Sequence, residues 1–184
     1  MNLPNKLTLL RVSMIPVFVI LASQEVIWTQ LGAALVFIIA CVTDYLDGEI
    51  ARKRNLVTNF GKFADPIADK LLVMSAIVVL VDQQRMPAWV CICILAREFA
   101  ISGFRLVAVT GGKVIAAGKL GKIKTVTQMI SVIMLLLFVP IHKEPLLGDV
   151  GMIAAEVMMY ISLFFTIWSG TDYIVRNYDC IRDM

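Results

Sequence analysis

Six long apolar stretches, separated by short polar breaks, constrain the fold of this chain more than any other feature. They cover residues 7–23, 30–52, 62–81, 87–109, 122–140 and 150–175. A helix needs about 20 mostly apolar residues to cross the hydrocarbon core of a bilayer. The chain is also 59% hydrophobic and only 17% charged, whereas soluble domains have about 45–50% apolar and about 25% charged residues. The sequence therefore predicts an all-α integral membrane protein with six transmembrane helices.

Positive charges are distributed unevenly between the two sides of this six-span arrangement. Of the residues outside the membrane on the side opposite the termini, only Arg85 and Lys143 are basic. Because Lys and Arg are enriched in cytoplasmic connections, both termini are predicted to be cytoplasmic. The net charge of +3 is too small to indicate a nucleic-acid partner. No repeat or composition change marks a boundary, so residues 1–184 are predicted to form a single membrane domain.

Four aspartates near the cytoplasmic ends of the second and third spans form the most informative local pattern. Asp44 and Asp47 share one face of a helix, and Asp65 and Asp69, four residues apart, share one face of the next. A short connection makes these helices antiparallel neighbours, so the two faces can meet. Converging carboxylates repel each other unless cations lie between them, and divalent ions prefer such hard oxygen ligands. The pattern predicts a site for Mg²⁺ or Mn²⁺, with two ions able to stabilise a phosphoryl-type transfer.

Small residues accompany these aspartates. Gly48, Ala51 and Gly61 leave the aspartate faces open, so an extended group can approach the backbone closely. Small residues are also common where membrane helices pack against each other. For the glycines, the pattern leaves both interpretations open.

The order D-x2-D-G-x2-A-R-x8-G-x3-D-x3-D, which runs from Asp44 to Asp69, resembles the signature of the CDP-alcohol phosphatidyltransferases. Every fixed position of that signature is present. The resemblance implies six spans, with the motif bridging spans two and three. It implies transfer of a phosphatidyl group from CDP-diacylglycerol to an alcohol, with release of CMP. It also implies a homodimer in a bacterial plasma membrane.

The resemblance assigns roles to individual residues of the motif. Asp44, Asp47 and Asp65 are expected to hold one ion, and Asp44, Asp65 and Asp69 to help hold a second. Asp69 is also expected to be the catalytic base that deprotonates the acceptor hydroxyl. The residues expected to bind CDP-diacylglycerol are Asn5, Thr8, Gly48, Ala51, Arg52, Thr58 and Gly61.

A second cluster of charged residues points to the acceptor alcohol. Arg105 lies near the cytoplasmic end of the fourth span, and Lys119, Lys122 and Lys124 lie at the start of the fifth. Several cations around one point suit the phosphate of glycerol 3-phosphate. The runs R-E-x2-I-S-G-x-R and G-K-x-K-T also resemble those of family members that use this acceptor. Positively charged residues that anchor the protein near anionic headgroups would give a similar pattern.

Other hypotheses also remain open from the sequence. One alternative acceptor is phosphatidylglycerol, which would make the protein a cardiolipin synthase, and another is inositol phosphate, which would make it a different member of the family. A small divalent-cation transporter would also place aspartates within membrane helices. Arg97 and Glu98, inside the fourth span, are predicted to pair with each other or with neighbours in a structural or orienting role.

Overall fold

The computed structural model is all-helical in the residues it describes, which are 3–24, 26–53, 59–110, 118–138 and 148–178. Side chains are described for residues 8–24, 26–44, 65, 67–109, 118–138 and 149–178. The described helices are α1 (Leu3–Ala22), α2 (Ile27–Lys53), α3 (Asn59–Asp82), α4 (Ala88–Thr110), α5 (Lys119–Phe138) and α6 (Gly148–Arg176).

Each predicted apolar stretch corresponds to one of these helices, so the all-helical class is confirmed. The largest difference at a described start is in α1, which begins at Leu3 instead of residue 7. Pro4 does not prevent this earlier start, because proline is tolerated in the first turn of a helix, where its missing N–H has no helical partner. The helix therefore carries its polar N-terminal turn continuously into the apolar segment.

Helix length and composition agree with a membrane environment. Within the described residues, three segments are long and apolar enough to cross a bilayer, namely Ile27–Asp44, Lys119–Phe138 and Asp149–Arg176, and Thr8–Ala22 is a shorter apolar segment. Helix α4 has 23 residues, but it is not among these segments and contains three charged residues, Arg97, Glu98 and Arg105. The fold thus supports a membrane protein, while the count of six spans stays a prediction.

The helices run alternately up and down, which defines two ends of the bundle. Helix α1 packs against α2 and α3, α5 packs against α6 and α2, and α4 packs against α6. We call the end with Asp44, Asp65 and Asp69 the aspartate end, and the opposite end, with Arg85, the Arg85 end. Between them lies an apolar core in which Phe18 and Phe37 are fully buried.

At the Arg85 end, one buried arginine joins several elements. Arg85 lies in the turn between α3 and α4, and its Nη1 donates to Gln30 Oε1 at 3.1 Å and to the carbonyl oxygen of Leu136 at 3.3 Å. Gln30 Nε2 in turn donates to the carbonyl oxygen of Ala22 at 2.6 Å. The last carbonyls of a helix lack helical donors, and a positive charge there is favourable. Arg85 therefore caps α5 and ties it to α2.

Candidate active site

The N-terminal part of α1 contacts the aspartates of α2 and α3. Arg11 Nη1 lies 2.6 Å from Asp44 Oδ1 in an ion pair, and Thr8 Oγ1 donates to Asp65 Oδ1 at 2.5 Å. Thr8 is 1% exposed and Arg11 is 0% exposed. These residues are three positions apart, so they share one face of the helix. Helix α1 therefore covers part of the predicted metal site.

Thr8 was predicted from the sequence to bind substrate, whereas Arg11 was assigned no role in the site. The spacing of Arg11 from Thr8 was the available signal, because it places both side chains on the face that Thr8 presents to the site. What the sequence did not reveal is that this face of α1 meets Asp44. That contact depends on how α1 packs against α2.

The described aspartates of α2 and α3 contact the same face of α1. Asp44 pairs with Arg11, and Asp65 accepts from Thr8. These two aspartates therefore lie at the same end of the bundle, while the joint metal site stays a prediction. Among the described side chains, no group of three His, Cys, Asp or Glu residues is close enough to hold a metal ion. The side chain of Asp47, the fourth predicted ligand, lies outside the described part.

The chemistry of the described ligands suits a divalent cation. The contacts of Asp44 with Arg11 and of Asp65 with Thr8 are both made by Oδ1. Carboxylate oxygens are the ligands that Mg²⁺ and Mn²⁺ prefer in proteins. A positively charged guanidinium already lies beside one of these carboxylates, as expected where negative charges would otherwise repel each other. The residue types present therefore suit a divalent cation, and the metal site stays a prediction.

A cavity of about 300 Å³ opens beside Asp69, between α3, α4 and α5. Asp69 lines it together with Arg105, Lys122 and Lys124, three of the four cations predicted to bind the acceptor phosphate. The fourth, Lys119, is exposed at the start of α5 and is not among the lining residues. The structure thus brings the predicted base and most of the predicted acceptor site to one space.

Arg105 is positioned by the end of α6. Its Nε donates to the hydroxyl oxygen of Tyr173 at 3.3 Å, and its guanidinium carbon lies 5.3 Å from the centre of the Tyr173 ring. Phe104 packs edge-on against the same ring, with 5.7 Å between the ring centres. Arginine is attracted to aromatic faces in such geometry. Tyr173 therefore orients a cation at the cavity, a role that sequence analysis missed.

A network of charged side chains forms another part of the cavity wall. Glu98 Oε1 accepts from Arg97 Nη1 at 3.1 Å and from Lys124 Nζ, which confirms the predicted pairing of Arg97 with Glu98. Arg97 Nη2 donates to Ser169 Oγ at 3.0 Å. A Cβ added at Gly170 would lie 2.9 Å from Arg97 Cγ, so the glycine allows this close approach. The network joins α4, α5 and α6.

Lys70, next to Asp69 in sequence, was not assigned a role by sequence analysis. It lines the same cavity, and its Nζ donates to Ser102 Oγ on α4. This contact links α3 to α4 beside the predicted base. Its position immediately after Asp69 was the only signal in the sequence.

The remaining predicted site residues are located by the backbone alone. Their helices are described but their side chains are not, and Thr58 lies outside the described residues altogether. Helix α1 carries Asn5, α2 carries Asp47, Gly48, Ala51 and Arg52, and α3 carries Gly61. Their predicted roles stay predictions.

Comparison with known proteins identifies the family. A family profile described as CDP-alcohol phosphatidyltransferase matches residues 1–168. This chain belongs to the CDP-alcohol phosphatidyltransferase family. The match includes the whole aspartate motif and the cavity-lining parts of α3, α4 and α5.

Several curated relatives of this CDP-alcohol phosphatidyltransferase carry the name CDP-diacylglycerol–glycerol-3-phosphate 3-phosphatidyltransferase. The protein from Bacillus subtilis is 45% identical, over 98% of this chain and 97% of the relative. The protein from Rickettsia typhi is 40% identical, over 94% of each chain. The protein from Escherichia coli is 38% identical, over 94% of this chain and 93% of the relative. The likeness therefore extends over nearly the full length of each protein.

Proposed function

We propose that this CDP-alcohol phosphatidyltransferase transfers the phosphatidyl group of CDP-diacylglycerol to glycerol 3-phosphate, giving phosphatidylglycerophosphate and CMP. The names and full-length similarity of the relatives support this activity. The structural observation that carries it is the cavity that joins Asp69 to three cations, Arg105, Lys122 and Lys124. An acceptor for this cavity has a reactive hydroxyl at one end and a phosphate at the other.

The charges of the cavity favour glycerol 3-phosphate among the possible acceptors. A phosphate dianion makes strong charge-assisted hydrogen bonds with arginine and lysine, whereas a neutral alcohol gains nothing comparable. Phosphatidylglycerol and inositol phosphate are the acceptors of the alternative family members, and the relatives' names favour neither. A divalent-cation transporter is not favoured either, because the family is one of transferases.

The donor site lies at the aspartate end, beside the acceptor cavity. We assign CDP-diacylglycerol binding to the N-terminal part of α1, the C-terminal part of α2 and the start of α3. Thr8 and Arg11 are buried there against Asp65 and Asp44. The positive charge of Arg52, carried by α2, supports binding of the pyrophosphate. The residues of this proposed site are Asn5, Thr8, Gly48, Ala51, Arg52, Thr58 and Gly61.

Asp44, Asp47, Asp65 and Asp69 would hold two Mg²⁺ or Mn²⁺ ions. When bound, such ions neutralise the negative charge that develops on the phosphate oxygens of the donor. The four carboxylates are the ligands that the motif provides, and the contacts of Asp44 and Asp65 with the same face of α1 support their belonging to one site.

The residues of this chain perform the remaining tasks of the transfer. Arg105 and Lys122 bind the acceptor phosphate and fix the orientation of its hydroxyl, which lowers the entropic part of the barrier. Asp69 accepts the hydroxyl proton at its carboxylate as the acceptor oxygen bonds to the phosphorus of the phosphatidyl group. The bond from that phosphorus to the CMP oxygen breaks, and CMP leaves with the electron pair.

We place this enzyme in a bacterial plasma membrane as a single six-span domain that forms a homodimer. The alternation of the helices puts the N-terminal ends of α1, α3 and α5 at the aspartate end. The basic residues concentrate there, so this end is assigned to the cytoplasm by the positive-inside tendency. The cytidine and the acceptor then reach the site from water while the acyl chains stay in lipid.

Release of CMP by purified protein in detergent tests the activity. CDP-diacylglycerol and Mg²⁺ or Mn²⁺ are supplied with one alcohol at a time, namely glycerol 3-phosphate, phosphatidylglycerol, inositol phosphate or serine. We expect turnover with glycerol 3-phosphate only, loss of turnover with a chelator, and recovery when excess metal is restored. Turnover with another alcohol in place of glycerol 3-phosphate would refute the assigned acceptor. Full turnover in the chelator would refute the metal site.

A further inference from the structure

We propose that Glu98 recognises the non-reacting hydroxyl of the acceptor, on its middle carbon, and so selects a polyol phosphate over a simple hydroxyalkyl phosphate. This inference rests on the proposed function, since it concerns the acceptor cavity of that reaction. It gives the carboxylate of Glu98 a direct contact with substrate in addition to its contacts within the network.

One oxygen of Glu98 is available for such a contact. Glu98 lines the cavity, and its side chain is 18% exposed. Both of its contacts, with Arg97 and Lys124, are made by Oε1. In the described part of the chain, Oε2 has no hydrogen-bond partner. An ionised carboxylate only accepts hydrogen bonds, so its natural partner in a substrate is a hydroxyl.

Two neighbouring cations compensate the negative charge of Glu98 in the cavity that we assign to the acceptor phosphate. Alone, Glu98 would repel an acceptor dianion. Arg97 and Lys124 contribute two positive charges against its single negative charge, so the group of three is net positive. The contacts also fix the orientation of Glu98, because Arg97 is held by Ser169 on α6. The carboxylate is therefore held rigidly without opposing the phosphate.

The position of Glu98 along α4 suits the middle of the acceptor. Glu98 and Arg105 are seven residues apart, so they lie on one face of the helix, separated by about 10 Å along its axis. Asp69 and Lys124 line the same cavity as Glu98. Glu98 therefore lines a cavity that it shares with the proposed base, Asp69 on α3, and with a phosphate-binding cation, Arg105, two turns further along α4. Glycerol 3-phosphate has its second hydroxyl between its reacting hydroxyl and its phosphate.

The test compares glycerol 3-phosphate with 3-hydroxypropyl phosphate, which keeps the reacting hydroxyl and the phosphate but lacks the middle hydroxyl. We expect the wild-type kcat/KM to favour glycerol 3-phosphate by about 10- to 100-fold, the range for a hydrogen bond to a charged group. In Glu98→Ala this ratio should fall to within about threefold of unity. In Glu98→Gln, which keeps the shape and a weaker acceptor oxygen, it should fall to an intermediate value.

The ratio separates recognition from a merely structural role. A structural defect in the network lowers kcat/KM for both substrates by the same factor and leaves the ratio unchanged, which would overturn the proposal. A wild-type enzyme that does not discriminate would overturn it without any variant. If Glu98→Ala does not fold, the isosteric Glu98→Gln decides by the same ratio. Glu156→Gln is the matched control, because Glu156 is exposed on α6 and lines a cavity at the Arg85 end.

Failure of this proposal and failure of the proposed function give different results. If wild-type protein releases no CMP with glycerol 3-phosphate, the function itself is wrong, and the role of Glu98 is rejected with it. If turnover is normal and the substrate ratio does not respond to Glu98 variants, only the role of Glu98 is rejected.

Discussion

The two ends of the bundle each bury an arginine, but they give it different partners. Arg11, fully buried at the aspartate end, pairs with the charged carboxylate of Asp44. Arg85, 6% exposed at the opposite end, donates to the neutral oxygens of Gln30 and Leu136. Asp44 belongs to the family motif, whereas the carbonyl of Leu136 belongs to the last turn of α5. The same residue type therefore contacts the predicted site at one end and caps a helix at the other.

Cavity size does not distinguish the two ends. The cavity at the aspartate end has a volume of about 300 Å³, and the one at the Arg85 end, lined by Arg85, Glu156 and Tyr160 among others, has about 390 Å³. The difference lies in the groups that converge. The first combines a carboxylate of the metal motif with several cations from two other helices. Function is therefore indicated by the chemistry of the lining residues, and the variants below test that distinction.

The largest effect should come from removing the proposed base. Asp69→Asn should lower kcat by about 10²- to 10⁴-fold, the usual contribution of a general base. The melting temperature should not fall, because Asn keeps the shape of the side chain and a neutral amide is less costly to bury than a charge. CMP release and thermal unfolding in detergent measure both. Asp149→Asn, at the exposed start of α6, is the control. If it lowers kcat as much as Asp69→Asn does, the catalytic role is not specific to the aspartate end.

The next effect concerns the acceptor phosphate. Arg105→Ala should raise the KM for glycerol 3-phosphate by about 10- to 100-fold, because a charged hydrogen-bond donor is lost. Arg105→Lys should recover part of this affinity, since the charge remains but the fork geometry does not. Initial rates at varied glycerol 3-phosphate measure the change.

Lys119→Ala provides the comparison within this cluster. Lys119 is exposed and does not line the cavity, so we expect a much smaller change in KM than for Arg105→Ala. If Lys119→Ala raises KM as much as Arg105→Ala does, Lys119 belongs to the acceptor site, as the sequence predicted.

At the other end, a substitution should affect stability and not chemistry. Arg85→Met should lower the free energy of unfolding by about 2–3 kcal/mol, because buried acceptors on α2 and α5 lose their donor. The kcat/KM of the folded protein should stay unchanged at low temperature. Thermal unfolding in detergent and CMP release measure the two quantities. A large loss of kcat/KM in protein shown to be folded would contradict a purely structural Arg85 end.

The smallest effect should come from an exposed ion pair at the end of α6. Arg176 Nε lies 2.7 Å from Asp172 Oδ1, and the Arg176 side chain is 73% exposed. Exposed pairs one helical turn apart contribute about 0.3–0.5 kcal/mol. Arg176→Ala should therefore change the melting temperature far less than Arg85→Met. An equal shift would mean that burial does not explain the effect of Arg85.

Much of the fold was predictable, and the reason is local. Apolar stretches of spanning length must satisfy their own backbone hydrogen bonds in lipid, and only helices do so within a single segment. The described starts and ends of the helices were less predictable, as at Leu3, where a polar N-terminal turn extends α1. The helix containing Arg97, Glu98 and Arg105 was predicted despite its charges. Apart from the contact between Arg97 and Glu98, these charges acquire partners only in the assembled bundle.

The sequence by itself determined the family motif and the helical class, because each depends on residue types at short spacings, and the resemblance carried by that motif implied the proposed base. The tertiary structure decided which distant helices meet. It placed Arg11 against Asp44, Tyr173 against Arg105, and Lys124 against Glu98. It also separated Lys119 from the cations that line the cavity. Spacing along one helix shows which side chains share a face, but the packing of helices through their apolar side chains decides what that face contacts.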